Sequence, residues 1–577
     1  MKKTVLSLLF LIFIFANHLN AQSATDLYER GKDKLKDHDT TGAIVDFTKA
    51  IDKDHNYSSP YISRGNIYDA MGEYQKAIDD YTKAIEISPE KELSYYNRGL
   101  SYKHMKKYEN AVADYTKAIE LEPEDNDAYF ARGVANYKMQ KYDLAFNDFD
   151  KAIKINSSSS SQYYWRALAN KHLGKSDDAI ADFTHALSID GEDANTYLNR
   201  GIVYDDRGDY DKAIADYTTC IRLDPEEELA YVNRGIIYDN QKDFAKAIDD
   251  YSTAIRLDPE DEIPYFNRAI IYDAQKNYNK AISDYSKAIE LVSDDTSAYY
   301  NRGVTYRHLK QYDKALADFN KAISINPQYG NALVERGITY DDLGRYDEAI
   351  TDLTKGISLQ PKDKVAWLNR ARTYRHQKDY NASLSDCNKL LTIDPQYSDG
   401  FVERGLTYYA MKNYDLAAAD YTKAIALDPT NGTAYYNRGL CYDKMEMYTK
   451  AMTDYTKAIG LDDQNEDAYV NRGNIYDKQK DYGKAIADYT KAIELNPKDA
   501  IAWANRGISN RHMNKLADAI ADYTKALELD PTTADVYFNR GIAYYYQNDF
   551  THACSDWHKA EDMGNADATT NLQQYCK

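Results

Sequence analysis

The sequence predicts an all-helical solenoid built from antiparallel pairs of helices. Two observations predict this fold class. Arg followed by Gly or Ala recurs every 34 residues without one insertion or deletion, and each 34-residue unit holds two segments of helical periodicity. The second residue of this dipeptide stands at positions 31, 65, 99, 133, 167, 201, 235, 269, 303, 337, 371, 405, 439, 473, 507 and 541. Units this small cannot bury a core alone, so we expect the copies to pack on one another.

Residues 1–21 differ from the repeats. Lys2 and Lys3 precede an apolar run from Val5 to Ala16, and Leu19-Asn20-Ala21 follows before Gln22. This is the plan of a secretory signal peptide cleaved after Ala21, and an uncleaved N-terminal anchor is the alternative. The apolar run is short for a membrane span, and no later segment is apolar for long enough to cross a bilayer. We therefore predict a mature protein without a transmembrane segment, located in the periplasm or secreted.

Each repeat contains two amphipathic helices. In the third repeat Tyr95, Gly99 and Tyr102 have spacing i, i+4, i+7, which places them on one face of a first helix. In the second half Tyr108, Ala111, Tyr115 and Ala118 have spacing i, i+3, i+7, i+10. We expect Gly99 and the two Ala to lie where the helices cross, since small residues let backbones approach. Pro123 follows the second helix as a stop signal.

The repeat length, the aromatic and small positions and the terminal Pro resemble those of the tetratricopeptide repeat family. The resemblance covers residues 24–567, as sixteen tandem repeats, and most units carry Tyr where the family often has Trp. It implies a right-handed superhelix whose first helices line an inner groove. Residues 568–577 follow the last repeat and are expected to form a C-terminal capping helix.

Every repeat contains an Arg directly before the Gly or Ala and an Asp fifteen residues after it, for example Arg98 with Asp114. Both residues flank the core face of their helices. We predict a repeated ion pair that joins the two helices of one unit or joins adjacent units. A catalytic pair would not be copied sixteen times, so the sequence favours a structural role.

Ten repeats carry Asn two residues before the Gly or Ala, on a first-helix face distinct from the buried one. An amide both donates and accepts hydrogen bonds, so a row of amides can pair with an extended peptide backbone of any sequence. This arrangement resembles the asparagine ladder in the repeat domain of O-linked N-acetylglucosamine transferase. The alternative is that the amides bond within the stack. The ten predicted ligand-groove residues are Asn97, Asn199, Asn233, Asn267, Asn301, Asn369, Asn437, Asn471, Asn505 and Asn539.

The same face carries aliphatic residues one position after the Gly, such as Leu100, Ile236 and Ile542. They favour peptide ligands with hydrophobic side chains, although packing against the next repeat explains them equally. The leading hypothesis is thus an extracytoplasmic scaffold for proteins or peptides. A glycan-binding module of the cell envelope is the alternative, because exposed rings such as Tyr545 and Tyr546 can stack on sugars.

Cysteine is sparse, with five residues in the chain. Cys220, Cys387 and Cys441 take core-facing helical positions and are predicted to be buried. Cys554 lies in the last repeat and Cys576 in the expected cap, so an oxidising compartment would allow a disulfide between them. The alternative is that both stay reduced.

The remaining signals narrow the function. The formal charge is −20, and −22 without residues 1–21, which opposes binding to nucleic acid. Five His occupy one slot in alternate repeats, roughly 20 Å apart at the closest, too far for one metal ion. They suit contacts with ligand carboxylates or a solvated surface. No motif predicts a cofactor, a metal or a catalytic residue, so we expect a protein that is not an enzyme.

Overall fold

A computed structural model describes residues 22–576, and within them all regular structure is helical. The chain divides into two compact units at residue 292, with eight helix pairs in each and one further helix at the end of the second unit. Repeat n is formed by helices α(2n−1) and α(2n), called its first and second helix. The expected all-helical solenoid of helix pairs is confirmed.

The first unit contains repeats 1 to 8. Its helices are α1 Ala24–Lys36, α2 Thr40–Lys53, α3 Ser58–Ala70, α4 Tyr74–Ile87, α5 Glu92–His104, α6 Tyr108–Leu121, α7 Asn126–Lys138, α8 Tyr142–Ile155, α9 Ser160–His172, α10 Ser176–Ile189, α11 Ala194–Asp206, α12 Tyr210–Leu223, α13 Glu228–Asn240, α14 Phe244–Leu257, α15 Ile263–Ala274 and α16 Tyr278–Leu291.

The second unit contains repeats 9 to 16 and the final helix. Its helices are α17 Thr296–His308, α18 Tyr312–Ile325, α19 Gly330–Asp342, α20 Tyr346–Leu359, α21 Lys364–His376, α22 Tyr380–Ile393, α23 Ser398–Ala410, α24 Tyr414–Leu427, α25 Gly432–Lys444, α26 Tyr448–Leu461, α27 Glu466–Lys478, α28 Tyr482–Leu495, α29 Ala500–His512, α30 Leu516–Leu529, α31 Ala534–Tyr546, α32 Phe550–Asp562 and α33 Ala566–Tyr575.

The core of most repeats is an aromatic ring packed against a glycine; Ala replaces the glycine in repeats 5, 8 and 11, and Leu353 and Cys387 replace the ring in repeats 10 and 11. In repeat 7 the ring of Tyr251 is fully buried, and a Cβ atom added to Gly235 would stand 2.8 Å from it. Ala247 and Ala254 on the same face of α14 are also fully buried. The small residues therefore allow the close approach of the two helices that the sequence predicted.

The turn between the two helices of a repeat needs a left-handed backbone. Gly72 holds this position in repeat 2 with φ +76°, and Lys106 holds it in repeat 3 with φ 58°. Glycine adopts this conformation at little cost, whereas lysine is strained there. The packing of the flanking helices must therefore maintain the turn where glycine is missing.

The predicted Arg–Asp ion pair is present in all sixteen repeats and joins the two helices of one unit. In repeat 7 the Nε and Nη2 atoms of Arg234 donate to the two carboxylate oxygens of Asp250, at 2.9 and 2.7 Å. Asp250 is buried, and the Arg234 side chain is 16% exposed. The fork of the guanidinium thus matches both oxygens of one carboxylate.

The same guanidinium also reaches the preceding repeat, a contact that the sequence analysis missed. Arg234 donates from Nη1 to Oγ1 of Thr218 in α12, at 3.0 Å. Thr, Ser, Asn or Asp accepts this bond in repeats 2 to 8 of the first unit and 10 to 16 of the second. One side chain therefore joins three helices, and we call this arrangement the arginine clamp.

The two ends of the chain depart from the repeat. In repeat 1 Lys34 forms a second ion pair with Asp46, at 2.8 Å. At the other end, where a cap was expected at 568–577, helix α33 begins at Ala566 and packs on α32 with Leu572 buried. Cys554 and Cys576 form a disulfide with their Cα atoms 5.8 Å apart. Cys220, Cys387 and Cys441 are buried thiols, as predicted.

The predicted signal peptide, residues 1–21, lies outside the described residues. None of the helices from residue 22 to residue 576 combines the length and the apolar character that crossing a bilayer requires.

Within each unit the first helices lie closer together than the second helices. Neighbouring first helices such as α13 and α15 approach each other, whereas the described second helices do not approach one another to the same extent. Each unit is therefore curved with its first helices on the inner side. We call the exposed surface of these helices the inner face.

Removal of one member of the arginine clamp should cost more stability than removal of both. Arg234→Ala leaves Asp250 buried without a counterion, and a loss of about 3 kcal/mol is expected. The double variant Arg234→Ala/Asp250→Ala should lose less than this single variant. Denaturant unfolding of these two variants and of Asp250→Ala measures the difference, and additive losses would contradict the pairing.

The disulfide should be detectable in the protein isolated without reductant. Alkylation before and after reduction, followed by mass spectrometry, should find Cys554 and Cys576 linked and Cys220, Cys387 and Cys441 labelled only after unfolding. Labelling of Cys554 in the unreduced protein would show that the bridge is not formed.

Candidate functional site

The inner face is formed by four positions of each first helix. Counted from the Gly or Ala of the repeat, they lie six and two residues before it and one and four residues after it. This spacing of i, i+4, i+7 and i+10 places them along one side of the helix. The ten predicted Asn occupy the second of these positions.

Six of the predicted Asn donate a hydrogen bond within the stack. Asn97 and Asn505 donate to Asn66 and Asn474 of the preceding repeat, at 2.9 and 3.0 Å. Backbone carbonyls or tyrosine hydroxyls accept from the others, which are Asn199, Asn369, Asn471 and Asn539. The amides of these six residues are thus already bonded within their own helix or to the preceding repeat, as the alternative interpretation describes.

The other four Asn keep amides that face the inner side. Asn233, Asn301 and Asn437 make no side-chain hydrogen bond to any described residue, and all three are partly exposed. Asn267, also partly exposed, lies beside the buried hydroxyl of Tyr251. These are the amides that a backbone lying along the inner face can meet.

The aliphatic residues one position after the Gly have a double role. Leu100, Ile236 and Ile542 are half-buried and pack against clusters of core residues, which supports the packing interpretation. Ile270 is 39% exposed and is therefore more accessible to a ligand than these three residues. The row thus offers apolar edges to a ligand while it contributes to the stack.

The inner face carries a second row of apolar side chains, which the sequence analysis did not identify. Five repeats carry an aliphatic residue six positions before the Gly or Ala, and each stands four residues before one of the predicted Asn. All are well exposed, from 43% to 65%, and they are Leu93, Leu229, Ile263, Val365 and Ile501. The i, i+4 spacing from the Asn row was the signal that could have found them.

Four of the five His contact the preceding repeat, although all five remain exposed. His376 lies 3.1 Å from the Asp341 carboxylate, and His104 lies 3.5 Å from that of Asp69. The rings of His172 and His512 stack on tyrosines of the preceding repeat, and burial lowers the pKa of both imidazoles. Neither of the two interpretations from sequence anticipated this inter-repeat contact.

The two rings proposed for sugar stacking differ in exposure. Tyr546 is 61% exposed, whereas Tyr545 is packed among Phe550, Trp557 and Tyr575 with ring centroids 4.7 to 5.8 Å away. Only Tyr546 of the pair presents a well exposed ring.

The chemistry of the inner face is that of a binding surface. Among residues 22–576 no group of three or more His, Cys, Asp or Glu is arranged to hold a metal ion. The groups brought together there are amides, aliphatic side chains and carboxylates, with cations such as Lys103 and Arg375 and tyrosine rings at the fourth position of other repeats. Such groups bind by hydrogen bonds, apolar contact and charge.

Models of the tetratricopeptide repeat match most of the chain. One matches residues 59–91, 93–125, 194–227, 229–261, 296–329, 433–465 and 466–499. A second, described as TPR repeat, matches 271–307, 405–446 and 511–548. Three further tetratricopeptide repeat models match the chain. The first matches residues 334–398, the second residues 488–521, and the third residues 127–159 and 163–193. No curated protein matches the chain.

Solved structures give a weaker likeness. YrrB, described as a TPR protein with an unusual peptide-binding site, is 25% identical over 33% of this chain and 97% of its own, with a TM-score of 0.31. A tetratricopeptide repeat protein from Parabacteroides merdae is 24% identical over 45% and 98%, with a TM-score of 0.36. A chain of the APC/C hetero-tetramer Cut9-Hcn1 is 17% identical over 84% of this chain and 96% of its own, with a TM-score of 0.37. The family models and the sixteen helix pairs together show that this chain belongs to the tetratricopeptide repeat family.

Proposed function

We propose that the protein is an extracytoplasmic scaffold that binds extended polypeptide segments along the inner face of its repeats. Membership of the tetratricopeptide repeat family supports a protein–protein interaction scaffold. The signal-peptide pattern of residues 1–21 supports export to the periplasm or the exterior.

The single observation that carries the proposal is the coincidence of free amides and exposed aliphatic side chains on one face. The Asn233 amide is unbonded and partly exposed, and Leu229 on the preceding turn of the same helix is 43% exposed. An extended backbone has unpaired N–H and C=O groups for the amide and side chains for the apolar positions. A folded globular surface offers few such backbone groups.

Replacement of the free amides should weaken peptide binding without loss of stability. The mature protein is first used to select ligands from a library of random twelve-residue peptides. The double variant Asn233→Ala/Asn267→Ala, which lies within the first unit, should then bind the selected peptides about fivefold to a hundredfold more weakly, since each lost hydrogen bond contributes about 0.5 to 1.5 kcal/mol. Its melting temperature should stay within about 2 °C of the parent.

The matched control also replaces two amides, but ones that bond to the preceding repeat, with Asn97→Ala and Asn505→Ala. This variant should lose stability because hydrogen bonds between repeats are removed. A glycan array distinguishes the second candidate function, for which Tyr546→Ala would abolish binding. If the protein selects no peptide and binds glycans through Tyr546, the scaffold proposal is wrong.

A further inference from the structure

Several first helices carry an Asp four residues after the Gly, and elsewhere in each unit the next repeat provides a partner for it. Asp69 accepts a hydrogen bond from Ser101 at 2.5 Å and lies near His104. In the second unit Asp477 accepts from Ser509 at 2.6 Å, and Asp443 lies 3.6 Å from the ammonium of Lys478. The protein thus balances most of its inner-face carboxylates internally.

Repeats 6 and 7 break this rule. The next repeats place Ile237 and Ile271 where Ser101 and Ser509 stand elsewhere, and both isoleucines are buried. They also lack a cation at the position that His104 and Lys478 occupy. Asp205 and Asp239 consequently have no ion pair and no side-chain hydrogen bond to any described residue.

Both carboxylates are partly buried, and no positive charge or hydrogen-bond donor in the described part of the chain offsets the loss of their contact with water. Burial raises the pKa of Asp205 and of Asp239, and the neighbouring charge of Asp206 adds to the effect at Asp205. Asp206 itself faces Lys171 of the preceding repeat. A negative charge that is partly buried without a partner lowers the stability of the fold. A cation that reaches it is therefore bound favourably.

Repeats 6 and 7 and the following repeat 8 also carry exposed or partly exposed aliphatic and amide side chains on the inner face. On α13, Leu229, Asn233, Ile236 and Asp239 follow one another along one side of the helix. On α15, Ile263 and Ile270 are 45% and 39% exposed. Across repeats 6 to 8 these positions form parallel rows of aliphatic side chains, amides and carboxylates.

We propose that the inner face of repeats 6 to 8 binds an extended polypeptide segment in which basic and aliphatic residues alternate. This inference rests on the proposed function and names the class of its ligand. Alternate side chains of an extended segment point to opposite sides, so one set meets the carboxylate row and the other the aliphatic row. Neighbouring first helices are about 10 Å apart, so three repeats accommodate about six extended residues.

Charge complementarity selects this occupant. The uncompensated groups on this part of the inner face are two carboxylates, and the chain as a whole is strongly acidic. An acidic segment would be repelled, and a purely aliphatic segment would leave both carboxylates buried without a counterion.

The test uses two synthetic peptides, Lys-Val-Lys-Leu-Lys-Val and Glu-Val-Glu-Leu-Glu-Val, with the full mature protein. We expect the basic peptide to bind and the acidic peptide not to bind. Asp205→Asn/Asp239→Asn should weaken binding of the basic peptide about tenfold. Leu229→Ser/Ile263→Ser should weaken it by a similar factor, because the aliphatic row is lost.

A matched control separates this site from general attraction to an acidic protein. Asp178→Asn/Asp211→Asn removes the same charge from exposed residues in the first turns of α10 and α12. This control should bind the basic peptide within twofold of the parent. Equal weakening by the control and by the Asp205/Asp239 variant would overturn the proposal.

Stability provides a second readout. Since both carboxylates are desolvated without a partner, Asp205→Asn/Asp239→Asn should melt at the same or a higher temperature than the parent. A lower melting temperature would show a structural role and overturn the proposal. If neither peptide binds while the random library still yields ligands, this inference fails and the proposed function stands. If the library also yields none, both fail.

Discussion

The three-way contact of one arginine side chain is the constraint on which the structure depends. Each guanidinium donates two hydrogen bonds to the Asp of its own second helix, and within the units a third bond reaches the preceding repeat. Five donors in a rigid plane suit this task, and lysine could not make the same contacts. A buried ion pair gains little net stability but fixes geometry, so the clamp sets how helices meet within and between repeats.

The clamp also explains where the chain is free to vary. The Arg, the Gly or Ala beside it, the side chain packed against that small residue and the Asp are all constrained by packing within the repeat, and so they recur with little change. The inner-face positions on either side of the Arg are not so constrained, and there the residue changes from Asn233 to Glu403 and from Asp239 to Arg375. In the second unit some of these side chains pair with each other, as where Arg375 meets the buried Glu403 at 2.5 Å. In repeats 6 and 7 of the first unit, Asp205 and Asp239 have no such partner among residues 22–576, and our proposal of a binding surface there rests on this difference.

Much of the fold was predictable because it depends on spacing within one repeat. The helix pairs, the crossing at Gly99, the Arg98–Asp114 pair and the buried Cys220 all follow from periodicity over less than 34 residues. Contacts between repeats were harder to predict. Thr218 lies among surface residues in the sequence, and nothing local shows that it accepts from Arg234.

The candidate site was predicted only in part, for the same reason. The ten Asn are equivalent by position, yet Asn97 is bonded because Asn66 stands in the preceding repeat, whereas Asn233 has no such neighbour. The environment of a side chain on the inner face depends on a residue one repeat away. Periodicity identifies the position and cannot tell which copies are left free to bind a ligand.

Hydrogen exchange of an Arg234→Lys variant tests the clamp most directly, because lysine keeps the charge and loses the fork. If one side chain joins three helices, amide exchange should accelerate in α12 of the preceding repeat as well as in α13 and α14. Faster exchange confined to α13 and α14, or no change at all, would contradict the claim that the arginine links one repeat to the next.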